Sequence, residues 1–130
     1  MVEYATKRAK ELLSIGDLSP NESPFNEISF IQNNFKRNKF NFKQLVDAWY
    51  AENYHYSHQY MSEPSLLDLP RFERFTQMIW KRTKSISLGI VSNYSRAAFV
   101  VCFNPPGNEF GWFGVNVQCP YKKLPTTAVK

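Results

Sequence analysis

Helices laid against both faces of an antiparallel sheet, an α+β arrangement, account for this sequence on three observations. Apolar residues recur at helical spacing in segments before Lys84, the pattern turns extended from Ile86 onward, and between Ala97 and Phe103 both alternating sets are apolar. Those sets are Phe99/Val101/Phe103 and Ala98/Val100/Cys102. A strand apolar on both sides needs cover on both sides, which only elements in two flanking layers provide. The 130 residues fit one domain, because a second core becomes favourable only in longer chains. With 43% hydrophobic and 16% aromatic residues the chain has enough apolar surface to exclude the disordered and disulfide-scaffold classes.

Taken in order, Ala5, Ala9, Leu12 and Leu13 fall at helical spacing between charged residues, so an amphipathic helix is expected over the first dozen residues, ending near Gly16. Asp17 to Phe25, with prolines at 20 and 24, reads as a loop, and a short ordered stretch follows at Glu27 to Ile31. Phe42, Leu45, Val46, Trp49 and Tyr50 follow i, i+3, i+4, i+7, i+8 spacing behind Asn41 as N-cap, which predicts a core-facing helix. Tyr54 to Leu69 is expected as an aromatic segment and loop, and Pro70 opens a helix carrying Phe72, Phe75 and Ile79 on one face. Ile86 to Val91 and Ala97 to Phe103 read as a hairpin about the turn formers Ser92 to Arg96. Asn104 to Asn108 makes a rigid turn into a last expected strand at Trp112 to Val117.

The formal charge of +5 favours acidic partners. It is concentrated between Asn33 and Lys43, where Lys36, Arg37, Lys39 and Lys43 alternate with Phe35, Phe40 and Phe42 without an acid. Such interleaving first describes a solvated loop whose rings pack inward; it also suits a membrane interface or a stacked nucleic acid. No run of about 18 apolar residues is present to span a bilayer, and Met1 to Tyr4 lacks the layout of a secretory signal, so membrane contact is expected to be peripheral. Cys102 and Cys119 are read as free thiols, with a disulfide between them as the alternative. His55 and His58 stand at i, i+3 without a third ligand, so no metal site and no catalytic Ser-His-Asp or Cys-His set is read from them.

Three segments together carry a family resemblance. Glu73-Arg74-Phe75-Thr76-Gln77-Met78-Ile79-Trp80-Lys81 resembles the signature Gly-His-Phe-Thr-Gln-x-x-Trp of the CAP superfamily, the cysteine-rich secretory, antigen-like and pathogenesis-related group. Phe103-Asn104-Pro105-Pro106-Gly107-Asn108 is similar to its Tyr-x-Pro-x-Gly-Asn, and Trp49-Tyr50-Ala51-Glu52 to its Trp-Tyr-x-Glu helix. The match covers about Ala5 to Pro120, and the Golgi-associated plant pathogenesis-related type is the most similar subgroup. What the resemblance implies is a three-layer α-β-α sandwich with a central antiparallel sheet, in agreement with the two-sided strand. A CAP domain is then expected over 1–120, without the family's first helix, followed by a tail at 121–130.

Family members hold two histidines and two glutamates in a cleft that takes zinc. By resemblance Glu52 matches one glutamate and Glu27, in Asn26-Glu27-Ile28, the other, whereas Arg74 replaces the signature histidine. Arginine keeps its proton and offers no lone pair to a metal or to a substrate proton. The expectation is therefore a non-enzymatic domain without a cofactor, in which Arg74 lies between Glu27 and Glu52; the alternative is that Arg74 points to solvent. The resemblance also implies sterols, fatty acids, phosphoinositides or other acidic lipids as ligands. Phe35, Lys36, Arg37, Lys39, Phe40, Tyr54, Tyr56 and Tyr60 are the candidate contacts to lipid or to an anionic membrane surface. A homodimer or a protein partner is the competing reading, a hydrolase a more distant one, and nucleic acid is not an expected partner. Location is expected to be intracellular, peripheral to a membrane or Golgi-associated, or extracellular if a native N-terminus carries a signal peptide.

Overall fold

The computed structural model describes residues 1–16, 23–56 and 63–117. Helix α1 (Val2–Ile15) ends where Gly16 adopts φ 88° and donates its N–H to the Leu12 carbonyl at 2.8 Å, a left-handed cap that a glycine accepts without a steric cost. Its buried stripe, Ala5, Ala9 and Leu12, packs on Ala98, Val100 and Cys102. The small side chains bring helix and sheet close together. A Cβ built on Gly89 would stand 2.5 Å from the Ala5 carbonyl oxygen, so only glycine fits there.

The sheet has three strands, β1 (Asn26–Asn33), β2 (Ser85–Ser92) and β3 (Arg96–Asn104), with β3 in the centre and antiparallel to both neighbours. The hairpin falls where the turn chemistry puts it: Asn93 Oδ1 accepts from the N–H groups of Ser95 and Arg96. The short stretch read at Glu27 is a full edge strand, paired from Asn26 with Phe103 to Asn33 with Arg96. Opposite residues of paired strands face the same side. Glu27 and Cys102 thus face α1, while Ile28, Phe30, Val101 and Phe103 face the other layer.

That second layer holds α2 (Phe42–Tyr50) and α3 (Glu73–Met78), with Trp49 and Met78 packed against Val101 and Phe103. Asn41 caps α2 by accepting the Lys43 N–H at 2.9 Å. The helix is less buried than its periodicity implies, since Trp49 alone is fully covered and Phe42 and Tyr50 stay exposed. Pro70 opens a 3-10 turn over Leu69–Arg71, and α3 begins after Phe72, whose ring is buried together with that of Phe75.

The expected last strand is corrected. Trp112 to Val117 contains a helical turn, α4 (Phe113–Asn116), because the Glu63 carboxylate accepts the N–H groups of Gly111 and Phe113, and Asn116 donates to the Trp112 carbonyl at 2.9 Å. Phe113 and Val117 close a cluster with Tyr56, Phe72, Phe75 and Trp80. The expected loop over 17–22, Tyr60, His58, Cys119 and the tail at 121–130 lie outside the described residues.

Candidate functional site

Two arginine–glutamate pairs flank the sheet. In the α2–α3 layer, a 3-10 turn over Ala51–His55 presents Glu52, whose Oε2 accepts from Arg74 Nε and whose Oε1 accepts the Phe75 N–H at 3.3 Å. Arg74 also donates to the Pro70 carbonyl at 3.0 Å. The carboxylate thus binds both the start of α3 and the guanidinium beside it, and a fixed cation fills the place next to Glu52.

Glu27 is not part of that group, contrary to the expectation that Arg74 bridges both glutamates. Strand alternation turns it toward α1, where Oε1 accepts from Arg8 Nε at 3.3 Å and Oε2 from the Tyr4 hydroxyl. Arg8 also reaches Glu11 at 3.3 Å and is only 6% exposed. Sequence reasoning missed Arg8, although its place three residues after Ala5 and four before Leu12 sets it in the buried stripe of α1. The pair marks its surroundings electrostatically. Burial, then the hydrogen bond to Glu27, raises the Tyr4 hydroxyl pKa, and burial followed by the Glu27 charge pushes the free Cys102 thiol up to about 11.

The segments that carry the family resemblance bond to one another. Gln77, fully buried, accepts at Oε1 from Asn26 Nδ2 at 2.6 Å and from the Gly107 N–H at 2.8 Å, and donates from Nε2 to Thr83 Oγ1 at 3.0 Å. Thr76 donates to Asn108 Oδ1 at 2.6 Å, and Asn108, at φ 57°, donates to the Glu73 carbonyl at 2.8 Å. Thr76 and Gln77 therefore act as a joint between α3, the edge of β1 and the turn after β3. Such buried polar groups are costly unless fully bonded, and here every one of these contacts except that to Thr83 is to a partner at least 30 residues away.

As for chemistry, Glu52 and Arg74 do not fit a metal, because the guanidinium brings positive charge and no lone pair. Among the described residues no group of three or more His, Cys, Asp or Glu is placed to hold one.

The basic segment lies at the hairpin end of the sheet. Lys36, Arg37 and Lys39 are exposed on a 3-10 turn (Arg37–Lys39), and among the described residues none of them pairs with a carboxylate, whereas Lys43 is paired with Asp47 at 2.8 Å. Phe35 and Phe40 are half-buried, their rings 5.7 and 5.2 Å from that of Phe99. Tyr54 is exposed, but Tyr56 is corrected: it is buried in contact with Phe72 and Phe75, which removes it from any surface.

The comparisons agree with this architecture. The model of the CAP family, described as the cysteine-rich secretory protein family, matches residues 2–103. A human relative, Golgi-associated plant pathogenesis-related protein 1, is 35% identical over 83 residues, which make up 62% of this chain and 51% of the relative. The chain thus spans about half the length of that protein. A crystal structure of NaASP2 with Zn2+ superposes with a TM-score of 0.60 at 16% identity, over 83% of this chain and 60% of the other, which shows the shared fold.

Proposed function

From the premise that this chain belongs to the CAP family, we propose that it is a non-catalytic binding domain that docks on anionic membrane surfaces. The observation that carries this reading is the cationic turn of Lys36, Arg37 and Lys39, without a carboxylate partner among the described residues, on a base of half-buried phenylalanines. The rings of Phe35 and Phe40 pack on Phe99, and the cations of the turn project to solvent, where anionic headgroups would replace counterions. Each such cation contributes about 1 kcal/mol near an anionic bilayer. The name of the human relative fits a peripheral, Golgi-associated location.

The arginine in the signature position supports the absence of catalysis. Glu52 accepts from Arg74 at one oxygen and from the Phe75 N–H at the other, so both carboxylate oxygens are engaged where a free base would be needed. We read Glu52 and Arg74 as the remnant of a metal-binding group converted to a structural ion pair.

Flotation with vesicles of phosphatidylcholine alone or with phosphatidylserine or phosphatidylinositol tests this reading. Binding is expected with anionic vesicles only, falling with salt. Reversing three cations in Lys36→Glu/Arg37→Glu/Lys39→Glu should weaken partition by about a hundredfold or more, from about 1 kcal/mol per cation. Equal flotation of the triple variant, or saturable self-association indifferent to lipid, would overturn it.

A further inference from the structure

The Lys81–Lys84 segment and the α4 turn border a shallow, open concavity of about 280 Å³, lined by Lys81, Arg82, Lys84, Trp112, Val115 and Asn116. One wall is cationic: Lys81, Arg82 and Lys84 are exposed, and among the described residues none is paired with a carboxylate. The other wall is apolar, with Trp112 52% exposed and Val115 61% exposed. Asn116, itself buried, ties the two together: its Oδ1 accepts the Arg82 N–H at 3.0 Å, its carbonyl accepts the Lys81 N–H at 3.1 Å, and its Nδ2 donates to the Trp112 carbonyl. The walls are thus held in register before any ligand arrives.

We propose that this cleft binds a single-chain amphiphile with a phosphate head, taken as a monomer. The head would meet the three cations, of which the Arg82 fork suits two phosphate oxygens at once. The first methylenes would lie on Trp112 and Val115. The volume lies just below the range of ligand pockets, about 300–1,000 Å³, and accommodates a head and a short length of chain. This is not the membrane-docking turn. Lys84 donates to the Asn104 carbonyl at one end of β3, while Phe35 donates to Ser95 beyond the other end, roughly 30 Å away at about 3.3 Å per residue.

Trp112 is a built-in probe, because Trp49 and Trp80 are only 5% and 3% exposed. Dodecyl phosphate, titrated below its critical micelle concentration into the full chain, is expected to shift the tryptophan emission to the blue with saturation. Lys81→Glu/Lys84→Glu should bind at least about tenfold more weakly through like-charge repulsion, and Val115→Asp likewise, with urea midpoints unchanged at these exposed sites. Inorganic phosphate should bind at least about tenfold more weakly than dodecyl phosphate, since it lacks the tail. The proposal falls if wild type and Lys81→Glu/Lys84→Glu respond alike, if inorganic phosphate matches dodecyl phosphate, or if an acidic aromatic peptide binds more tightly than either. Lys36→Glu/Arg37→Glu/Lys39→Glu should keep the full response, so loss of flotation in that variant and loss of this titration are separate failures.

Discussion

The side-chain amide of Gln77 accepts the backbone N–H of Gly107 at 2.8 Å, so the residue after the signature threonine and the glycine of the second motif hold each other across 30 positions of sequence. A Cβ on Gly107 would stand 2.6 Å from Gln77 Nε2 and 2.8 Å from its Oε1. Gly107→Ala is expected to cost about 1–3 kcal/mol, as overpacking does, and Gln77→Ala a similar amount by leaving Asn26 and Gly107 donors unmet. Because Gln77→Ala removes the side-chain atoms that Gly107→Ala would strike, the double variant should lose less than the sum in urea denaturation.

Gly89→Ala tests the approach of α1 to the sheet. The obstruction is backbone, Ala5 and Thr6, not a flexible side chain, so α1 must move as a unit. A loss at or above the upper end of about 1–3 kcal/mol is expected in urea denaturation, with α1 amides exchanging faster. A neutral Gly89→Ala would contradict the packing.

The two ion pairs should differ in cost. Arg8 and Glu27 have side chains 7% and 14% exposed, so Arg8→Ala uncovers a poorly solvated carboxylate and is expected to cost up to about 3–5 kcal/mol. In the Arg74–Glu52 pair the arginine is 32% exposed, and Arg74→Ala should cost only about 1 kcal/mol after solvent screening. Thermal melts of the two single variants rank them directly. Arg8→Met with Glu27→Leu should recover most of the loss, because it removes both charges at once.

Stability should fall on the alkaline side. The Cys102 thiol is raised from 9.0 to about 11, so the unfolded chain ionises first and the folded chain holds the extra proton between those values. The contribution is complete below about pH 9 and is lost as pH rises toward 11, on the order of 3 kcal/mol at about 1.4 kcal/mol per unit. Tyr4 and Tyr56, both raised mainly by burial, add to the decline above pH 10.0. Urea midpoints from pH 8 to 11 should drop, less steeply in Cys102→Ala, and in a Cys119→Ser background the remaining thiol should react with a disulfide reagent only on unfolding.

The sequence by itself determined the elements whose signal is local. Ala5, Ala9 and Leu12 define α1, Asn41 fixes the start of α2, Asn93 closes the hairpin, and the doubly apolar β3 requires helices in two layers; each depends on residues within a few positions of one another. The match to the CAP signatures likewise needed only order and spacing. Tertiary structure decided which partners meet. Glu27 pairs with Arg8 and not with Arg74 because its register opposite Cys102 turns it to the α1 face, and a shift of one residue would have reversed that. Trp112 to Val117 alternates like a strand, yet Glu63 and Asn116 hold it as a helical turn, and Tyr56 is drawn from the expected surface into the Phe72–Phe75 cluster. In each case the deciding partner lies far along the chain or faces a side fixed only by pairing, and no local period encodes a contact of that kind.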